Sequence, residues 1–112
     1  MNERATPDLE GAWRNGSVFL ELKAGGKVGV AKVPLSVCGG TTDARKDEPT
    51  EIEGTWKEEY FTDAGDGVRI DAARKGGNER CNFWMAYVSH NGNAELWFSY
   101  APSPVKSLVK AP

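Results

Sequence analysis

Apolar and polar residues alternate one by one along much of this chain, and glycine-bearing turns cut the alternation into short runs. Val18, Leu20 and Leu22 alternate with Phe19, Glu21 and Lys23. That period sorts side chains onto the two faces of a β-strand, whereas a helix needs a stripe repeating every 3.6 residues, and no stretch shows one. The chain is therefore expected to be all-β. Strands are predicted over residues 9–14, 17–23, 28–34, 51–61, 68–72, 81–89, 94–100 and 105–110. About eight short strands at this rhythm predict an antiparallel meander closed as a barrel. Residues 1–8 are expected as an N-terminal tail and 9–112 as one barrel domain.

The turns carry their own chemistry. Gly25-Gly26 sits between the second and third strands, and Asp63 to Gly67 between the fourth and fifth. Glycine reaches positive φ without a steric cost, which tight hairpins require. Cys81 to Ser89 and Ala94 to Tyr100 flank His90-Asn91-Gly92-Asn93, and Asn-Gly is the usual two-residue hairpin signal. Residues 39–50 hold two adjacent glycines and a proline without periodicity and read as the one long loop.

The terminal hairpin allows its faces to be assigned. A two-residue loop sets Phe83, Met85, Tyr87, Leu96, Phe98 and Tyr100 on one face and Trp84, Ala86, Val88, Glu95, Trp97 and Ser99 on the other. The first face is uniformly large and apolar, so it is assigned to the interior. Trp84, Trp97 and Val88 are then expected on the outside, where an apolar patch marks a partner surface.

A short phrase occurs twice, as Leu9-Glu10-Gly11-Ala12-Trp13-Arg14 and as Ile52-Glu53-Gly54-Thr55-Trp56-Lys57. The offset of 43 residues between the tryptophans is shared by the only cysteines, Cys38 and Cys81. The architecture is expected to reuse a unit, or at least one strand-entry device. Both tryptophans are expected to pack inward. Matching positions make a Cys38–Cys81 bridge the expectation, against two buried free thiols. Closing a loop of about 44 residues is worth roughly 4 kcal/mol by chain entropy. A bridge implies a secreted or cell-envelope protein, and free thiols a cytoplasmic one.

Gly11-Ala12-Trp13 near the start of an eight-stranded meander resembles the Gly-x-Trp signature of lipocalins and avidins. That resemblance implies a barrel whose Trp plugs the closed end while ligands enter at the other. Lipocalins set an Arg from the last strand against this Trp, and the last strand here offers Lys106 and Lys110 instead. The doubled Gly-x-Trp with a cysteine pair and a Trp-rich terminal hairpin is also similar to small actinobacterial secreted β-barrel proteins.

Composition and motifs narrow the function classes. The net charge is −2 with both signs dispersed, so no basic stripe is available for nucleic acid. No apolar run is long enough for a membrane-spanning helix. Two thiols and one histidine without Cys-x-x-Cys spacing are a poor metal set, and Asp63, Asp66 and Asp71 lack the EF-hand ligand order. No Gly-x-Ser-x-Gly elbow, phosphate loop or nucleophile–base pair is present, so the enzyme reading is left with a barrel that merely shapes a substrate for cyclisation, and no cofactor is expected. Glu58 and Glu59 read as solvated strand positions.

Two binding functions remain open. In the first, a barrel calyx holds a small hydrophobic or aromatic ligand among Tyr60, Phe83, Met85, Tyr87, Phe98 and Tyr100. In the second, the barrel is filled, and Trp84, Trp97 and Val88 bind a protein partner, as an inhibitor or immunity protein does. An eight-stranded barrel is just wide enough for either. Large aromatics argue for a filled barrel, while Gly29, Ala31, Gly54, Ala72 and Ala86 leave room if they face inward.

Overall fold

The computed structural model describes residues 8–38, 48–63, 65–90, 92–98 and 106–111. Eight antiparallel strands follow one another as a meander: β1 (Gly11–Asn15), β2 (Val18–Lys23), β3 (Lys27–Pro34), β4 (Pro49–Phe61), β5 (Gly65–Arg74), β6 (Phe83–His90), β7 (Asn93–Phe98) and β8 (Ser107–Lys110). β8 pairs with β1 and closes the sheet into a barrel. One 3₁₀ turn, Leu35–Cys38, follows β3. The β1–β2, β3–β4, β5–β6 and β7–β8 connections share one end of the barrel. The hairpins β2–β3, β4–β5 and β6–β7 share the other.

Strand bounds differ from expectation by one to three residues along the chain, β5 being longer at both ends and β6 starting two residues later, and at three places the contacts are informative. β1 starts at Gly11 because Leu9 is used otherwise: its side chain is buried and its carbonyl accepts the Trp13 indole N–H at 2.9 Å. β4 reaches back to Pro49, which pairs with Pro34 where neither ring needs to donate. β8 begins only at Ser107, the residue facing Trp97.

Residues paired across neighbouring strands share a face, so the interior can be followed rung by rung. Trp13 pairs with Leu20 on one side and Lys110 on the other. Val68 pairs with Met85, and Leu96 with Leu108. All of these except Lys110 are fully buried, and with Leu22, Val33 and Ile70 they form the core.

The two Gly-x-Trp phrases enter the core differently. Gly11 pairs with Leu22, Leu22 with Val28, Val28 with Gly54, and Gly54 with Ala72, so both glycines lie on one rung. β1 and β4 run in opposite directions, and the tryptophans therefore lie on opposite sides of that rung. A duplicated four-strand unit would match β1 with β5, so the repeat is a shared strand device, not a repeated half. Each indole N–H ties down a backbone carbonyl: Trp13 binds Leu9, and Trp56 binds Lys23 at 2.8 Å.

The glycines answer to different needs. Gly11 has φ of 129°, and a methyl there would meet the Lys110 stem at 3.2 Å. At Gly54 a methyl would run into the Asp71 carbonyl and the Ala72 backbone. Gly54 therefore brings β4 and β5 close and leaves no spare room. Ala31 and Ala72 face the core, and Ala86 faces outward beside Trp97.

Lys110 takes the place opposite Trp13 that the resemblance gave to an arginine. Its Nζ stands 5.5 Å from the Trp13 ring centre, donates to the Asp8 carbonyl at 2.7 Å and pairs with the Asp8 carboxylate at 3.1 Å. A cation over an indole face is attracted by the ring quadrupole.

Cys38 and Cys81 form a disulfide, S–S 2.02 Å. It joins the β3–β4 connection to the β5–β6 connection, and both lie at the same end of the barrel. Replacing both cysteines with serine should lower the unfolding free energy by about 4 kcal/mol, measured by urea denaturation. Trp13→Ala should cost about 3–5 kcal/mol in the same assay, because it removes a fully buried indole and strands the Leu9 carbonyl.

Candidate functional site

The inward set on β6 and β7 is Phe83, Met85, Tyr87, Leu96 and Phe98, as register shows: Met85 pairs with Val68 and Phe98, and Tyr87 with Leu96. His90 pairs with Asn93, which leaves two residues in the hairpin loop. Met85 is fully buried, whereas Phe83, Tyr87 and Phe98 are half-buried against the core. Phe83 and Phe98 touch with ring centres 5.9 Å apart. Tyr60 pairs with Asp66 on the interior side of the β4–β5 hairpin and is 46% exposed. Tyr100, Asn91 and the His90 side chain lie outside the described residues, as does the loop over 39–47.

The outward set occupies the opposite face. Trp97 is 41% exposed and pairs with Ala86; Val88 is exposed and pairs with Glu95. Glu95 in turn pairs with Val109, which is 46% exposed on β8. Val88, Trp97 and Val109 thus form an apolar face across β6, β7 and β8. The only polar atom of the Trp97 side chain is satisfied within this face, its Nε1–H donating to Glu95 Oε1 at 2.8 Å. That bond gives the indole N–H and the Glu95 carboxylate partners on the same strand.

Trp84 also faces outward but is half-buried. Its indole lies across Gly67, where a methyl would collide with the ring, and it meets Phe61 edge-on at 5.6 Å. Phe61, 42% exposed, extends the apolar surface from Trp84 toward the β4–β5 turn. Phe61 and Val109 escaped sequence reasoning. Phe61 shares its parity with Lys57 and Glu59, and the side to which Val109 points depends on a β7–β8 register that no short turn specifies.

The carboxylates separate by face. Glu59 is outside, 3.1 Å from Arg69 and 3.6 Å from Lys57. Glu58 pairs with Val68 and faces the interior, contrary to the reading of both as solvated, and its Oε2 is buried without a hydrogen-bond partner. Counting in twos from the inward Trp56 places 58 and 60 inside. Asp66 faces the interior with Tyr60 while Asp71 faces outward with Thr55, so the aspartates do not converge. Among the described residues, no three His, Cys, Asp or Glu side chains gather as a metal site.

A cleft of about 220 Å³ opens where the β3–β4 register slips between Val28 and Lys32. Val28, Gly29, Val30, Ala31, Glu51, Ile52, Glu53 and Lys75 line it, and none of the interior aromatics does. Glu21 lies over Gly29 and accepts the Val30 N–H at 3.1 Å, which steadies the bulge.

Comparison with protein-family models, with curated proteins and with solved structures gave no match. The protein is an eight-stranded antiparallel β-barrel, an architecture consistent with a lipocalin-like barrel. Among the described residues no helix is long and apolar enough to cross a membrane.

The two outer tryptophans should separate in a stability assay. Trp97→Ala should change the unfolding free energy by no more than about 0.5 kcal/mol, as other exposed positions do. Trp84→Ala should cost about 2 kcal/mol, since it empties the seat over Gly67 and uncovers Phe61.

Proposed function

We propose that this protein is a non-enzymatic binding module that docks another protein on the outer wall of β6, β7 and β8, in the manner of an inhibitor or immunity protein. The observation that carries this reading is the exposed row Val88, Trp97 and Val109, with the Trp97 indole already held by Glu95. An exposed Trp amid apolar neighbours is the composition of a binding hot spot. Arg14, paired with Val109, supplies a cationic rim on the β1 side.

Curvature limits the partner. Eight strands complete one circle, so each turns about 45° from the next, and the wall from β6 to β8 turns through roughly 90°. A second copy, itself convex, would touch this wall along little more than one strand, well short of the roughly 800 Å² per partner that a standard interface buries. The surface fits a concave apolar groove with an acidic group placed for Arg14. The disulfide fits an oxidising compartment, secreted or in the cell envelope.

A second reading, a small apolar ligand inside the barrel, draws on the incomplete burial of the inward-facing Tyr60, Phe83, Tyr87 and Phe98. Native mass spectrometry of protein isolated from its source separates the two: a small mass released on unfolding favours the calyx.

The docking face is tested by a benzophenone cross-linker placed at Val88 and, about a quarter-turn away on β4, at Glu53. The expected result is one stoichiometric protein adduct from position 88 and none from position 53. The adduct protein, once identified, should bind Trp97→Ala about 100-fold more weakly than the parent while the thermal midpoint stays unchanged. Equal labelling from both positions, or unchanged affinity, would overturn the docking face.

A further inference from the structure

The 3₁₀ turn after β3 is held in a way that the rest of the barrel is not. It comprises Leu35–Cys38 and buries Leu35, Ser36 and Val37, with Val37 joining the core cluster. A four-residue 3₁₀ turn has too few internal bonds to persist on its own, so its position must be imposed from outside. At its start, the Leu35 N–H donates to the Glu48 carbonyl at 2.9 Å. In its middle, the Ser36 hydroxyl is buried without a hydrogen-bond partner, which works against seating the turn. At its end stands Cys38, partly exposed and bonded to the fully buried Cys81. Cys81 itself is anchored to the sheet, its N–H donating to the Ala72 carbonyl at 2.8 Å.

We propose that the Cys38–Cys81 disulfide is a redox latch: it pins this turn over the barrel end shared by β3 and β5, and its reduction releases the turn while the barrel stays folded. The latch is asymmetric. Cys38 is the accessible partner, and Cys81 belongs to the core.

The step needs a dithiol reductant. One reductant thiolate attacks the Cys38 sulfur, the S–S bond breaks, and Cys81 leaves as a thiolate that takes up a proton. The second reductant thiol then attacks the mixed disulfide and releases Cys38. Two electrons and two protons pass to the cysteines, and the reductant becomes a disulfide. Cys81 as a free thiol remains a small apolar side chain suited to its buried place. Val37, no longer tethered, leaves the core cluster, and the barrel interior gains an opening at that end. Access to the interior thereby becomes a property of the oxidised or reduced state.

Hydrogen exchange followed by mass spectrometry tests the latch on the full chain, oxidised and then reduced with tris(2-carboxyethyl)phosphine. The expected result is that the amides of Leu35 to Cys38 reach the free-chain rate on reduction, whereas those of Leu20, Val68 and Leu96 stay at least a hundredfold slower than that rate. The variant carrying Cys38→Ser and Cys81→Ser should reproduce the reduced pattern without reductant. Turn and barrel amides both reaching the free-chain rate would show that the bond staples the whole fold. Unchanged protection of the turn would show that packing alone seats it. Either result overturns the latch.

Discussion

Closure of the barrel rests on the seam between β8 and β1, and that seam is short. Only Trp13 with Lys110 and Arg14 with Val109 are in register there. Side chains and the flanking backbone make up for the missing length. The Ala111 N–H reaches the Ala12 carbonyl at 2.7 Å, Asn15 donates its side-chain amide to the Ser107 carbonyl at 3.0 Å, and Lys110 crosses to Asp8. Gly11 gives Lys110 room to cross, since a Cβ there would press on its stem at 3.2 Å. An open β1 or β8 would be an unpaired edge, and the five residues of β1 would lose one of their two neighbours. Trp13 therefore contributes twice: it fills the core, and it offers the ring over which the closing strand lays its cation.

The doubled Gly-x-Trp shows how one local device serves unlike strands. Both glycines sit on a single rung, yet one yields to a lysine stem and the other to a neighbouring backbone. Both indoles face inward and spend their N–H on a main-chain carbonyl from a neighbouring segment. Burying an indole is favourable only when that N–H finds an acceptor; the first phrase supplies its own in Leu9, and the second takes Lys23 from β2. The opposite directions of β1 and β4 then place the two rings on opposite sides of the rung, where they fill different parts of the interior without competing for the same space.

Much of this architecture was legible in the chain because it depends on neighbours in sequence. The period of two and the Asn91-Gly92 turn fix which face Phe83 and Trp84 present, and the count from Trp56 would have placed Glu58 inside. What could not be read depends on contacts between distant strands. Trp84 is sheltered because Gly67 on β5 leaves a flat seat and Phe61 on β4 closes its edge. Val109 joins Trp97 only through the β7–β8 register. The bulge near Gly29 is held by Glu21 from a third strand. In each case the decisive partner lies on another strand, and alternation along one strand carries no record of it.

β6 stands apart from the other strands in having no polar face along most of its length. Phe83, Trp84, Met85, Ala86, Tyr87 and Val88 are six consecutive residues without a charge. An antiparallel strand with one face in water ordinarily alternates, and a continuous apolar run belongs to strands covered on both sides. The outer wall of β2 to β5 is mixed, with Glu21 and Lys23 on β2, Lys32 on β3, Lys57 and Glu59 on β4, and Arg69 and Asp71 on β5 beside the exposed Val30 and Phe61. Charged side chains are thus concentrated on β2 to β5, while the β6 to β8 wall carries Glu95 among apolar neighbours. Intramolecular cover accounts for one flank of β6, where Trp84 folds over Gly67 beneath Phe61. On the other flank, Val88 and Trp97 remain exposed beside Val109. A protein partner seated there would give β6 the second cover that its composition calls for. The interior then needs no ligand to explain why this strand is apolar throughout.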